Sequence, residues 1–455
     1  MIRSLFSSVS GLKTHQTRMD VIGNNIANVN TTGFKSSRAT FSDTLYQTMT
    51  GASSPDGAMR GGTNPKQVGL GVGLAGIDTI FTDASAQQTG VNTDLALSGN
   101  GLFVVKQGNE TYYTRDGSFS FDEEGNYVLP GSGKYVQGWT ADENGTMKTN
   151  ETPDKITVDS NKPMAPKETD TITFKGNVAL GKLSVPLTVY DSEGGMSQVY
   201  INLEKTATIG NVKNVDNTWE VKLVSPATRG DGVTATPSFE TIDNTATPPT
   251  ITAIQGSFYV KFKTDGSYDG VYDSANTRIT TTPGLKMTYT SSGKGIPANK
   301  DITIDFHALT QYSDPKAEKG ATSSDANTAY AHTNGYASGT LTSVSVDSSG
   351  IITGAYSNGE MRNLAQVAVA RFTNAAGLTR VGGNLFQLSN NSGEANIKTA
   401  AALGCTITPS ALEMSNVDLA NEFSNMIVTQ RGYQANSKMI TVSDEMLETL
   451  INTKR

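Results

Sequence analysis

The chain has 455 residues, of which 36% are hydrophobic, only 17% are charged and 46 are glycine, with a net charge of −7. A chain of this size holds about two to four domains, its Gly, Thr, Ser and Asn content points to β structure with many tight turns, and the lack of any basic run argues against a nucleic-acid partner. The single cysteine, Cys405, excludes an intrachain disulfide framework; no run approaches the ~18 apolar residues of a membrane span, and Met1 to Ser8 has neither the apolar core nor the cleavage site of a Sec-type leader.

In chain order, Met1 to about Ile26 comes first, where Leu5, Val9, Leu12, Gln16, Met19, Gly23 and Ile26 repeat at four-three spacing and predict a helix with one apolar seam. It should end in the asparagine-dense run Gly23 to Lys35, because Asn and Gly tolerate left-handed backbone and Asn competes for helix hydrogen bonds. Ser36 to Gly76 reads as an extended polar connector, with room for one or two helical turns at Phe41, Leu45 and Met49. Strands are expected from about Leu95. Tyr112–Arg115 and Ser118–Phe121 flank Asp116-Gly117, a pair suited to a two-residue hairpin loop.

Period two then runs through Leu183, Val185, Leu187 and Val189, turns at Asp191 to Gly195, and returns through Val199, Ile201 and Leu203. Further strands are expected at Trp219–Leu223, Phe258–Phe262, Ile302–Phe306, Leu341–Val346 and Val367–Val369, whereas Ser225 to Gln255, rich in Thr and Pro, reads as long loops. Lys398 to Pro409 is a second connector. It leads to Ser415–Arg455, where Leu419, Phe423, Met426, Gln430, Tyr433, Ser437, Ile440, Asp444, Leu447 and Ile451 form another four-three seam, with a start capped by Ser415 and Asp418.

About 35 helical residues make a rod of roughly 50 Å, and burying this seam is worth on the order of 10 to 20 kcal/mol, provided that apolar surface meets it from both sides. The two terminal seams could meet in a hairpin within the chain, but the surrounding sequence favours their finding their partners only in neighbouring copies. Two helices alone leave much of that surface wet. Gln16 and Gln430 either bond across helices and fix their register, as polar core residues do in coiled coils, or face solvent.

The expected fold class is mainly β with long terminal α-helices: a coiled-coil-like helical inner domain from both termini (1–30 with 412–455), a connector (31–76 with 398–411), a first β domain (77–149 with 320–397) and an outer inserted β domain (150–319). The domains would be nested and, except the innermost insert, discontinuous.

Catalytic and cofactor signatures are missing. Gly71, Gly73 and Gly76 match G-x-G-x-x-G but do not sit between a strand and a helix of a βαβ unit. His15, His307 and His332 lack metal-ligand spacing, and Asp122 to Asn126 lacks the distal glutamate of a calcium loop and reads as a solvated hairpin turn. No nucleophile elbow or phosphate loop occurs. No cofactor, metal or catalytic residue is expected.

Several motifs together resemble one family. Ser10-Gly11-Leu12, the run Met19 to Thr31 with Asn24, Asn25, Asn28 and Asn30, and Gly33-Phe34-Lys35 resemble the N-terminal signature of the flagellar rod and hook family; Ser415–Leu419 and Met426–Asn436 resemble its C-terminal signature. Ser98–Phe103 and Tyr113–Gly117 are similar to segments in the middle of that family. The large insert, with Leu309–Tyr312 and Leu447–Asn452, resembles hook members rather than the shorter rod members. The resemblance implies a helical homopolymer, a curved tube outside the cell, export by the flagellar export apparatus without a cleaved leader, and rod, hook-filament junction and cap proteins as partners. A rod-type protein with an unusual insert and a secreted β-rich adhesin are the alternative readings.

Overall fold

The computed structural model describes residues 2–453 apart from 56–60, 143–144, 160, 180, 210–211, 225–226, 229–233, 244–249, 254–256, 280–281, 290–298 and 313–326. The chain is mainly β, with one long helix at each end, and divides into two compact units. The first comprises Met1–Ser160, Ser343–Ala355 and Met361–Arg455, the second Asn161–Thr342 and Tyr356–Glu360. The expected boundary at 319/320 lies outside the described residues.

In the first unit, helix α1 spans Ile2–Ala27 and helix α2 spans Leu419–Thr453. The cap of α2 is Asp418 rather than Ser415, since Asp418 Oδ1 accepts from the backbone N–H groups of Ala420 at 2.9 Å and Asn421 at 3.3 Å. Ser415 Oγ accepts the Val417 N–H, two residues before the helix begins.

After α1 the chain does not run on as a connector with helical turns. Ser37–Asp43 pairs antiparallel with Val72–Thr79, and Tyr46–Thr50 with Lys66–Gly69, so strands begin well before Leu95. Phe41 and Met49 therefore sit on strands, with Leu45 in the short link between them. Their partners lie about 20 to 30 residues away in the chain, which a four-residue periodicity cannot detect. Gly73 and Gly76 lie in the returning strand, and Gly71 has φ +128° with Ser10 Oγ where its Cβ would stand.

Asp116-Gly117 is not a hairpin turn. Glu110–Thr114 pairs with Leu102–Gln107, and Ser120–Phe121 pairs instead with Tyr127–Leu129. Between them Gly117 passes over the strand Leu95–Ser98, accepting the Leu95 N–H at 3.0 Å, and a Cβ there would lie 1.7 Å from the Leu95 carbonyl oxygen. Close approach of two backbones, not a left-handed φ, requires this glycine. Replacing Gly117 by Ala should accordingly destabilise the first unit by about 2 kcal/mol or more, because backbone cannot yield as a flexible side chain does; a thermal melt unchanged from wild type would contradict the crossing.

The second expected connector also contains paired strands, Thr406–Pro409 with Leu95–Ser98 and Ala411–Glu413 with Ala86–Gln88. Leu102, Val104, Tyr113, Trp139, Ala370, Phe372 and Phe386 form a buried core nearby. Asp122 makes the hairpin turn, its Oδ1 accepting from the N–H groups of Glu124 and Asn126.

The second unit packs two sheets face to face. One contains the hairpin Lys182–Tyr190 and Met196–Ile209 in the register Leu187 to Val199, followed by Val212–Val224, Phe258–Phe262, Tyr268–Tyr272 and Arg278–Ile279. The other contains Thr234–Asp243, Thr282–Tyr289, Asn299–Thr310, Thr171–Asn177 and Tyr330–Thr333. Alternate side chains meet between them: Val185, Leu187, Ile201, Trp219 and Val260 face Phe174, Phe239, Leu285, Ile304 and Phe306. Within 225–255, where loops were expected, Thr234–Asp243 and Thr250–Ala253 are strands. Threonine is a good strand residue, and burial of Phe239 against Phe258 at 4.6 Å outweighs the turn-forming composition.

Candidate assembly interface

The root of the helix pair is held by a buried ionic cluster. Gly33, at φ +66°, lets the chain turn out of α1 and donates its N–H to the Glu413 carbonyl at 2.8 Å. That turn drives Lys35 inward, where Nζ donates to Glu413 Oε1 at 2.7 Å and to the Thr82 carbonyl at 2.7 Å. Arg115 donates to the other oxygen of the same carboxylate at 2.9 Å, to the Leu97 carbonyl at 2.7 Å and to Asp83 at 3.3 Å, and also to the Gly99 carbonyl. Burial pulls the Lys35 amine below its ordinary value, and the Glu413 carboxylate opposes that shift. Two chain passes remote in sequence thus share one carboxylate supplied by a third.

Asparagines stitch the backbone around this point. Asn25, buried in α1, donates to the Ser37 carbonyl at 2.8 Å and to Glu422 at 2.9 Å, and its Oδ1 accepts the Ser37 N–H at 2.9 Å. Asn416 accepts the Ser36 N–H at 2.7 Å and donates to the Ile80 carbonyl at 2.8 Å. Asn28 donates to the Asn24 carbonyl and side chain and accepts from Thr31, whereas Asn30 is exposed. Phe34 is buried under the Arg380 guanidinium, 5.3 Å from its ring centre. The amide, with both a donor and an acceptor, satisfies crossing strands that no sheet ladder reaches.

Contrary to the expectation that their partners lie only in neighbouring copies, the two helices pair with each other within the chain, antiparallel but not along the apolar four-three line. The buried α2 residues are Thr429 and Ser443, and a Cβ on Gly432 would lie 2.7 Å from His15 while one on Gly11 would lie 2.6 Å from Asn436. Ser8, Gly11, Thr14, Ile22 and Asn25 are the buried residues among those described in α1. The contact is therefore sealed by small and polar side chains that let the backbones approach. Its spacing, Glu422, Asn425, Thr429, Gly432, Asn436 and Ser443, is also four-three; small residues at that period were the signal available in the sequence.

The expected seam residues lie around this contact. Leu5, Leu12, Met19, Ile26, Met426, Ile440 and Leu447 are half-buried at its margins, whereas Val9, Leu419, Phe423, Tyr433 and Ile451 are exposed. Gln16 and Gln430 are exposed too, and among the described residues no hydrogen bond joins them. At ~100° per residue, Leu419, Phe423 and Ile427 follow one flank of α2, and Val428, Met439, Met446 and Leu450 follow the other. Phe423 is 50% exposed, Ile427 59% and Val428 60%. With Gly11 level with Asn436, Ile2 lies level with about residue 445, so the last two turns of α2 run past α1.

Among the described residues no group of three His, Cys, Asp or Glu side chains could hold a metal, and no helix is long and apolar enough to cross a membrane.

Three family models match the chain: "Flagella basal body rod protein" over residues 5–35, "Flagellar hook protein FlgE/F/G D1 domain" over 96–179, and "Flagellar basal body rod FlgEFG protein C-terminal" over 408–453. The flagellar hook protein FlgE of Treponema pallidum is 36% identical and that of Borreliella burgdorferi 35%, each match covering 100% of both chains. The flagellar basal-body rod protein FlgG of Bacillus subtilis is 28% identical, again over 100% of both. Both helices, Lys35 and Glu413 fall within or beside the matched terminal regions and Arg115 within the middle one, and full-length identity is higher to these two hook proteins than to that rod protein. The chain belongs to the flagellar hook and rod protein family, with hook proteins among its full-length relatives.

Proposed function

We propose that this chain is the structural subunit of a flagellar hook, and that it polymerises with copies of itself into a curved, flexible tube that passes torque from rod to filament. The observation that carries this reading is the pair of apolar flanks that the helix hairpin leaves exposed on α2. A single apolar stripe would be satisfied by a closed dimer. Two stripes on opposite flanks call for two different neighbours, and a head-to-tail contact that does not close gives a helical polymer. The seam residues Leu5, Val9, Leu12, Met19, Ile26, Leu419, Phe423, Met426, Tyr433, Ile440, Leu447 and Ile451 would carry that contact, with Gln16 and Gln430 tuning its register.

In this reading the helix pair and its root (1–30 with 412–455, joined through 31–76 and 398–411) form the inner wall, and the β domains (77–149 with 320–397, and 150–319) lie outside it. Rod and hook-filament junction proteins, an assembly cap and the flagellar export apparatus are its partners, and the tube is extracellular.

The full-length likeness to a rod protein keeps one rival, a distal rod subunit. Deleting the gene in its own host separates the two. A hook subunit predicts isolated basal bodies with a complete rod and neither hook nor filament, restored by the intact gene. Basal bodies lacking the distal rod would favour the rival, and normal hooks would overturn both.

A further inference from the structure

The second unit contains two carboxylates that its hydrogen bonding leaves incomplete. Phe239, Leu285 and Ile302 point into the core, so their neighbours Glu240, Lys286 and Asp301 occupy the other face of the sheet. Glu240 stands opposite Gly284, and Lys286 stands opposite Asp301. Since Gly284 has no side chain, nothing on the middle strand blocks the diagonal between Glu240 and Asp301. Glu240 is only 1% exposed, and Glu240 Oε1 and Asp301 Oδ1 are both buried without a hydrogen-bond donor. The charged group facing Glu240 from the middle strand is Lys286, with Nζ 4.0 Å from Glu240 Oε2; from the far strand it is Asp301. Two ionised carboxylates beside one ammonium leave an uncompensated negative charge in a buried place, and one proton removes it.

We propose that Glu240 and Asp301 share a single proton across Gly284, forming a proton-binding site that makes the second unit more stable in mild acid than in mild alkali. Buried oxygens facing each other without a donor are satisfied when one carboxyl is protonated and donates to the other. Burial first, then the neighbouring Asp301, pushes Glu240 up to about 7, with Lys286 pulling against it. A carboxyl raised in the fold holds its proton more tightly there than in the unfolded chain, so the stabilisation is complete below the ordinary glutamate range and is lost as pH rises through about 7.

The chain has one tryptophan in each unit, Trp139 and Trp219. In full-length protein carrying Trp139→Phe, the fluorescence of buried Trp219 reports unfolding of the second unit alone. Between pH 5 and pH 8.5 the unfolding equilibrium constant should rise on the order of 10-fold to 100-fold more than in the same protein with Glu240→Gln, whose amide cannot ionise. Parallel pH profiles for the two would overturn the proposal. A readout on the folded chain that needs no variant is the carboxyl carbon resonance of Glu240: a midpoint well above the ordinary glutamate value supports the site, and an ordinary midpoint sinks it. Asp301→Asn supplies a donor and removes the competing charge, so it should move that midpoint down; an unmoved midpoint would rule out the shared proton.

Discussion

Glu413→Ala is expected to destabilise the first unit by about 3 to 5 kcal/mol, the range for breaking a buried ion pair by removing one partner. Its carboxylate is the shared acceptor of Lys35 and Arg115, and all three side chains are at most 2% exposed. Removing it strands two cations out of water, one of them wholly; Arg115 retains the half-exposed Asp83 at 3.3 Å. Much of the loss reflects those orphaned charges rather than any attraction gained, since a buried pair repays its desolvation only partly. Glu413→Gln, which keeps the shape and a carbonyl acceptor, should fall between alanine and wild type. The measurement is thermal unfolding followed through Trp139, with Trp219→Phe silencing the second unit. Melting of Glu413→Ala within a degree of wild type would show that the cluster contributes little.

Charging the exposed flanks of α2 should act in the opposite way, sparing the subunit and abolishing the polymer. Ile427→Asp and Val428→Asp alter one flank each at positions about 60% exposed, so the effect on the folded monomer should stay within about ±0.5 kcal/mol. Each apolar side chain buried between copies contributes ~1.5 to 3 kcal/mol, and a carboxylate in its place adds a desolvation cost. The critical concentration for tube formation should therefore rise at least ~10-fold for either change and polymers should vanish for the pair. Sedimentation checks the first, and electron microscopy with an unchanged circular dichroism spectrum checks the second. Tubes forming from the double variant at wild-type concentration would remove α2 from the interface. If only one substitution mattered, a two-sided contact would be wrong.

Much of the architecture could be read from periodicity. Both terminal helices and the hairpin through Leu187 and Val199 follow from spacing alone; in the hairpin the apolar pattern also marks the buried face, whereas in the helices it marks the element but not the face that is buried. Pairing beyond that hairpin was not legible. Asp116-Gly117 has the composition of a turn, yet Gly117 is there because another backbone passes within hydrogen-bonding distance, and only the partner Leu95 reveals that. The arm from Ser37 to Thr79 likewise depends on residues that meet only after a long excursion. The site divides the same way. The apolar positions at four-three spacing were visible, but which of them face the companion helix was not. Gly11 and Gly432, which decide how closely the helices approach, carry no apolar signal at all. Lys35, Arg115 and Glu413 are ordinary charged residues in sequence, and their burial comes from three chain passes converging.

That convergence imposes an order of events. Lys35 and Glu413 are 378 positions apart, and Arg115 lies 298 before Glu413. A chain that emerges with its first residues leading must keep α1 without its companion helix, and two cations without their anion, until nearly the whole polypeptide is out. Closure over so long a span is slow and comes late, so the helix hairpin, with both of its exposed flanks, is completed only when Glu413 and α2 arrive.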